Sequence, residues 1–88
     1  MIETHVVTFD ITTSFEEWAE AYDGSAELQK LYGITSLFRG VNKDDPTKVC
    51  AVMQSDPDTM DNFMSTNAEL IASSGHVLES TTDTIYIG

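Results

Sequence analysis

Four of the 88 residues are basic, and three of them, Arg39, Lys43 and Lys48, fall in one short stretch, Ile34 to Gln54. Set against 15 acidic residues and a formal charge of −11, that clustering marks the place where an anion could be held. An arginine on a strand presents a rigid fork of donors that grips a carboxylate through two parallel hydrogen bonds. Thr8, Cys50 and Val52, from strand-like runs, would share a small site with Arg39. The competing role for these cations is to guard an edge strand against pairing with another chain.

Other reactive side chains are less well placed. His5 alternates with Val7 and Phe9, and His76 follows Gly75, but no HxH or HxxxH spacing joins either to a partner. A metal site needs three or more ligands in reach, and a general base needs a group that orients it. Cys50 has Lys48 two residues away as its nearest positive charge, and it reads as a buried, inert thiol. Asp44, Asp45, Asp56, Asp58 and Asp61 lack the calcium-loop pattern of alternating ligands, glycine and terminal glutamate. Neither a metal nor a cofactor is expected.

Composition excludes several classes of partner. Nucleic acids and anionic membranes bind through clustered Lys and Arg, which a net charge of −11 opposes. No apolar run approaches the ~20 residues that span a bilayer. The opening Met-Ile-Glu-Thr-His lacks a basic stretch followed by an apolar one, and a lone cysteine builds no disulfide framework. A cytoplasmic location is expected. Residues 1–88 form one domain. So short a chain buries too little surface to be more than marginally stable alone, which favours association with a second copy.

The elements that must position these side chains are legible from periodicity. Ile2 to Ile11 alternates as a strand, with His5, Val7, Phe9 and Ile11 toward helices and Thr4, Val6, Thr8 and Asp10 away. Ser14 with Glu17, or Thr13 with Glu16, forms a capping box before a helix whose face carries Phe15, Trp18, Ala19 and Tyr22. A kink or break is expected near Gly24, and Gly33 ends the helix in the left-handed conformation. Strands Ile34–Val41 and Thr47–Gln54 flank a turn over Asn42 to Pro46. Asp56 as cap and Pro57 in the first turn open a second helix striped with Met60, Phe63, Met64, Ala68 and Ile71. Val77 to Ile87 closes the chain as a strand.

The order β-α-β-β-α-β with right-handed crossovers predicts an α+β fold, the ferredoxin-like plait. Its four-stranded antiparallel sheet carries two helices on one face and leaves the other face open. Within the third element, Leu37, Arg39 and Val41 alternate with Ser36, Phe38 and Gly40. With Phe38 under the helices, Arg39 points to the open face, where Asp10 or Asp83 would be its protein partner.

Gly33-Ile34, Leu37-Phe38-Arg39-Gly40, Asp44-Asp45-Pro46, Val49 to Met53, and Asp56 before a helix containing Phe63 resemble the dimeric α/β-barrel superfamily. That superfamily includes antibiotic-biosynthesis monooxygenase-like and stress-responsive barrel domains, beside families of unknown function. The resemblance implies that two copies pack sheet against sheet around a cavity at or near the contact; the mixed face of Thr4, Val6, Thr8, Cys50 and Val52, which the helices leave uncovered, is the expected homodimer surface. The resemblance carries no activity; the cations of the hairpin suggest a small ligand in that cavity, an anionic one if Arg39 faces it. The alternative is a cofactor-free monooxygenase or isomerase acting on a small apolar or aromatic substrate. The superfamily's catalytic residues do not carry over, since the first strand lacks Asn and the second helix contains neither Trp nor His.

Overall fold

The computed structural model describes residues 1–88. Its elements are β1 (Glu3–Asp10), α1 (Phe15–Gly24), α2 (Ala26–Leu31), β2 (Thr35–Val41), β3 (Lys48–Ser55), α3 (Thr59–Thr66), α4 (Ala68–Ser73) and β4 (Thr82–Tyr86). The strands form one antiparallel sheet in the order β2-β3-β1-β4, the ferredoxin-like plait with the first and third strands central. No helix is long and apolar enough to cross a membrane.

Local chemistry accounts for the helix boundaries. The amide of Glu17 donates to the Ser14 hydroxyl at 3.2 Å, so Ser14 is the cap. The first helix breaks as expected after Gly24, where Ser25 donates its hydroxyl to the Tyr22 carbonyl at 2.7 Å. Gly33 adopts φ +82°, and the amides of Gly33 and Ile34 close on the carbonyls of Lys30 and Gln29. This paired closure satisfies carbonyls that a helix end leaves free.

The second helix departs from expectation at its start. Asp56 does not cap it; α3 begins at Thr59 behind Asp58, whose φ is +68°. Pro57 and left-handed Asp58 instead form the centre of a type II turn closed by the Thr59 amide on the Asp56 carbonyl at 3.3 Å. The terminal strand is also shorter than Val77–Ile87. A 3-10 turn over Leu78–Ser80 precedes β4, and the Ser80 hydroxyl accepts the Asp10 amide at 2.7 Å.

The core forms between the helices and one sheet face. His5, Val7, Phe9 and Ile11 are buried there as the alternation requires, with Val49, Ala51 and Met53 beside them on β3. Trp18, Ala19, Met60 and Phe63 pack down from the helices. The opposite sheet face has no cover within the chain: Phe38 and Tyr86 on it are 56% and 58% exposed.

The second strand faces the other way from the sequence expectation. Phe38 pairs with Val52 and Gly40 with Cys50, which puts Phe38 on the open face, while Arg39 pairs with Ala51 on the helix face. The register shifts between Ser36 and Phe38, leaving Leu37 as the extra residue of a bulge. Gly40 then gives the Phe38 ring room to lie over the strand, since a Cβ at Gly40 would stand 2.6 Å from the ring.

Candidate functional site

The four residues singled out as an anion site do not come together. Arg39 lies on the helix face and grips Asp23 of α1 with Nε and one terminal nitrogen, both at 2.8 Å. Its expected partners are otherwise engaged, Asp10 with Lys48 at 2.8 Å and Asp83 with His5 at 2.7 Å. The guanidinium also stands 5.7 Å over the Phe15 ring, a cation–π contact. The hydrogen bonds from Arg39 hold the Asp23 carboxyl below the usual carboxylate range and raise the guanidinium in return. Thr8, Cys50 and Val52 do share the open face. Thr8 and Cys50, with Phe38, Gly40 and Lys48, line a shallow depression of about 380 Å³.

A larger cavity lies on the other side of the sheet. It occupies about 480 Å³ between the sheet and the helices, within the range of small-molecule sites. Val7, Phe9, Ala51 and Met53 form its floor, while Trp18, Tyr22 and Leu28 come from α1 and α2. Met60, Phe63 and Met64 of α3 close the remaining side. Methionine is unbranched and polarisable, so such a wall can adapt to the outline of a flat ligand.

Aromatic rings line the cavity in a connected set. Trp18 stacks on Tyr22 with centroids 4.9 Å apart and meets Phe9 at 5.4 Å. The Trp18–Tyr22 stack follows from four-residue spacing on α1, which the sequence shows as an apolar stripe, while Phe9 reaches Trp18 from β1. The Tyr22 hydroxyl shares a 2.6 Å hydrogen bond with Ser36. Burial raises the Tyr22 hydroxyl above its ordinary pKa despite that bond, so it stays protonated at neutral pH.

Both histidines lie closer to this cavity than their sequence context suggested. His76 lines it, stacked on Phe9 with centroids 3.7 Å apart and planes 5° from parallel. Its Nε2 is 2.6 Å from the Thr81 hydroxyl. Burial lowers its pKa from 6.5 to about 4, so the ring is neutral at pH 7 and resists protonation. His5 lies behind the wall, 2% exposed. Its Nδ1 is 2.7 Å from Asp83, and an ionised carboxylate only accepts, which places the proton on Nδ1. His5 Nε2 is buried with no hydrogen-bond partner, 3.5 Å from Glu3. Asp83 in turn lines the cavity. Sequence separations of 67 and 78 residues join Phe9 to His76 and His5 to Asp83, so no local spacing could have signalled either pair. No cluster of three or more His, Cys, Asp or Glu side chains is arranged to hold a metal ion.

Comparisons with known proteins agree on the architecture. A family model described as a domain of unknown function, DUF3764, matches residues 2–88. A search of curated proteins found no match. Among solved structures, a Nitrosomonas europaea protein classed as an antibiotic biosynthesis monooxygenase superimposes with a TM-score of 0.71 at 18% identity, covering 99% of this chain and 89% of that one. SnoaB, a cofactor-independent oxygenase of Streptomyces nogalater, matches in a mutant form with TM-score 0.71 at 12% identity, over 99% and 92% of the two chains. The Streptomyces coelicolor monooxygenase from ActVA-Orf6, in complex with the ligand Nanaomycin D, gives 0.63 at 14% identity over 98% and 86%. Identities this low carry the fold alone: the chain shares the ferredoxin-like fold of these monooxygenase structures, the fold its resemblance implied.

Proposed function

The chain belongs to the DUF3764 family, and we propose that it is a small-molecule-binding domain that takes a flat, largely apolar ligand between its sheet and its helices. The observation that carries this reading is the cavity of about 480 Å³ whose walls include Phe9, Trp18, Tyr22 and Phe63. Aromatic side chains bury large areas and stack on one another or on a ligand at centroid distances of 4.5–7 Å. The test is calorimetric titration of the full chain with 2-naphthylmethanol, a neutral flat probe, read together with Trp18 fluorescence. Saturable binding with a fluorescence change is expected, and Leu28→Trp, which fills the cavity, should abolish it. Absence of saturable binding at millimolar probe would overturn the proposal.

The working form of the domain is a homodimer joined through the open sheet face. Val52 stands at its centre, cross-strand from Val6 on one side and Phe38 on the other. Covering exposed Phe38 and Tyr86 would add apolar burial that so small a core needs. Val52→Asp would bury an unpaired carboxylate and shift the equilibrium to monomer. Light scattering of the parent chain at micromolar concentration is the check, and a stable monomer would refute this assembly.

A second reading, cofactor-free oxygenation of an aromatic substrate, is favoured by one feature. The neutral imidazole of His76 sits in the cavity wall, where it could orient the hydroxyl of a bound phenol by a hydrogen bond. Oxygen uptake in the presence of a dihydroxyaromatic compound, above the rate without protein and lost in His76→Phe, would support it. An unchanged rate would leave binding as the function.

A further inference from the structure

The charges lining the cavity say which ligands it can hold. Its wall carries two carboxylates, Asp61 and Asp83, and no lysine or arginine. The only arginine in the chain is spent on Asp23, and Lys48 is spent on Asp10 across the other face of the sheet. Of the two carboxylates, Asp83 is the better oriented: His5 holds its Oδ2 at 2.7 Å, and its Oδ1 makes no hydrogen bond within the chain. That oxygen is unpaired, and Asp83 stands among the lining residues at the exposed edge of the cavity.

The ring faces of Trp18 and Phe9 are taken up by stacking on Phe15, Tyr22 and His76, so the selection rests on the charged groups of the lining. An anionic ligand would enter an apolar chamber with no counter-charge, losing its hydration without replacement. A ligand with an ammonium group would meet the carboxylates of Asp61 and Asp83 at the cavity's exposed edge. We infer that the cavity selects flat apolar molecules bearing a cationic amine and discriminates against the corresponding carboxylates. The inference rests on the binding function proposed above and replaces the anionic ligand that the position of Arg39 in the sequence suggested.

Three matched probes test it: 2-naphthylmethanol, 2-naphthylmethylammonium and 2-naphthoate, titrated into the full chain by calorimetry in 150 mM salt. At that ionic strength the screening length is about 8 Å, which suppresses the general attraction of an acidic surface for cations. The amine should bind about tenfold or more tightly than the carboxylate, with the alcohol between them. Asp83→Asn should narrow that gap to a few-fold, and Asp61→Asn provides a second variant if the first fails to fold. Asp44→Asn removes one charge from the distant hairpin loop, where its side chain bonds nothing, and should leave the gap intact. If the alcohol binds but the carboxylate matches or exceeds the amine, the charge selection is wrong while the cavity's binding role stands. If Asp44→Asn narrows the gap as far as Asp83→Asn, the preference comes from overall charge and the inference fails. Failure of all three probes would overturn the binding function itself.

Discussion

Replacing His76 with phenylalanine should make the protein resist mild acid. The imidazole is held at about pKa 4 by burial against Phe9, whereas an unfolded chain would titrate it near 6.5. At 1.36 kcal/mol per pH unit the difference corresponds to about 3 kcal/mol of preference for the neutral ring. The direction follows from which state binds the proton. As pH falls below 6.5 the unfolded chain is protonated and the folded one is not, so stability drops until the folded ring titrates near 4. Between pH 7.5 and 4.5 this one group should remove about 2.5 kcal/mol. In His76→Phe the ring stack is preserved, but the Thr81 hydroxyl loses its partner, so the variant starts about 1 kcal/mol less stable at pH 7.5. The assay is urea unfolding followed by Trp18 fluorescence at both pH values, at one protein concentration so that association does not confound the comparison. Asp23 and Asp45, both held below the usual carboxylate value by hydrogen bonds, lose their contributions only at lower pH and do so in both proteins. The difference in acid sensitivity therefore isolates His76. Parallel losses in parent and variant would refute the idea that a buried neutral imidazole sits in this wall.

Two further substitutions check the geometry. Gly75→Ala should destabilise the fold by about 1–3 kcal/mol in the same unfolding assay, because Gly75 has φ +99° and a Cβ there would stand 2.6 Å from the Thr13 hydroxyl oxygen. Arg39→Ala should leave the affinity for 2-naphthylmethanol within twofold of the parent. It should also let the Asp23 carboxyl return toward its ordinary pKa, seen as a rise in its titration midpoint by NMR, and an unmoved midpoint would show that the pair is not formed in solution.

The parts of this protein that were legible from sequence are those set by neighbours along the chain. Alternation in His5, Val7, Phe9 and Ile11 chose the buried face of β1, because successive side chains on a strand must point to opposite sides. Helical spacing gave the stripe of Phe15, Trp18 and Tyr22, and Gly24 and Gly33 marked the break and the end of that helix by their backbone freedom. From these the element order followed, and chirality reduced the topology to the plait. The orientation of β2 was decided elsewhere. Alternation states that Phe38 and Arg39 face opposite sides but not which side is which, and the bulge at Leu37 resets the register against β3. On that face Arg39 meets Asp23 of α1 in an exposed ion pair. The cavity wall was beyond the sequence for the same reason. Phe9 with His76, and His5 with Asp83, are contacts between opposite ends of the chain, and they exist because β1 lies at the centre of the sheet with β4 and the end of the second helical segment folded against it.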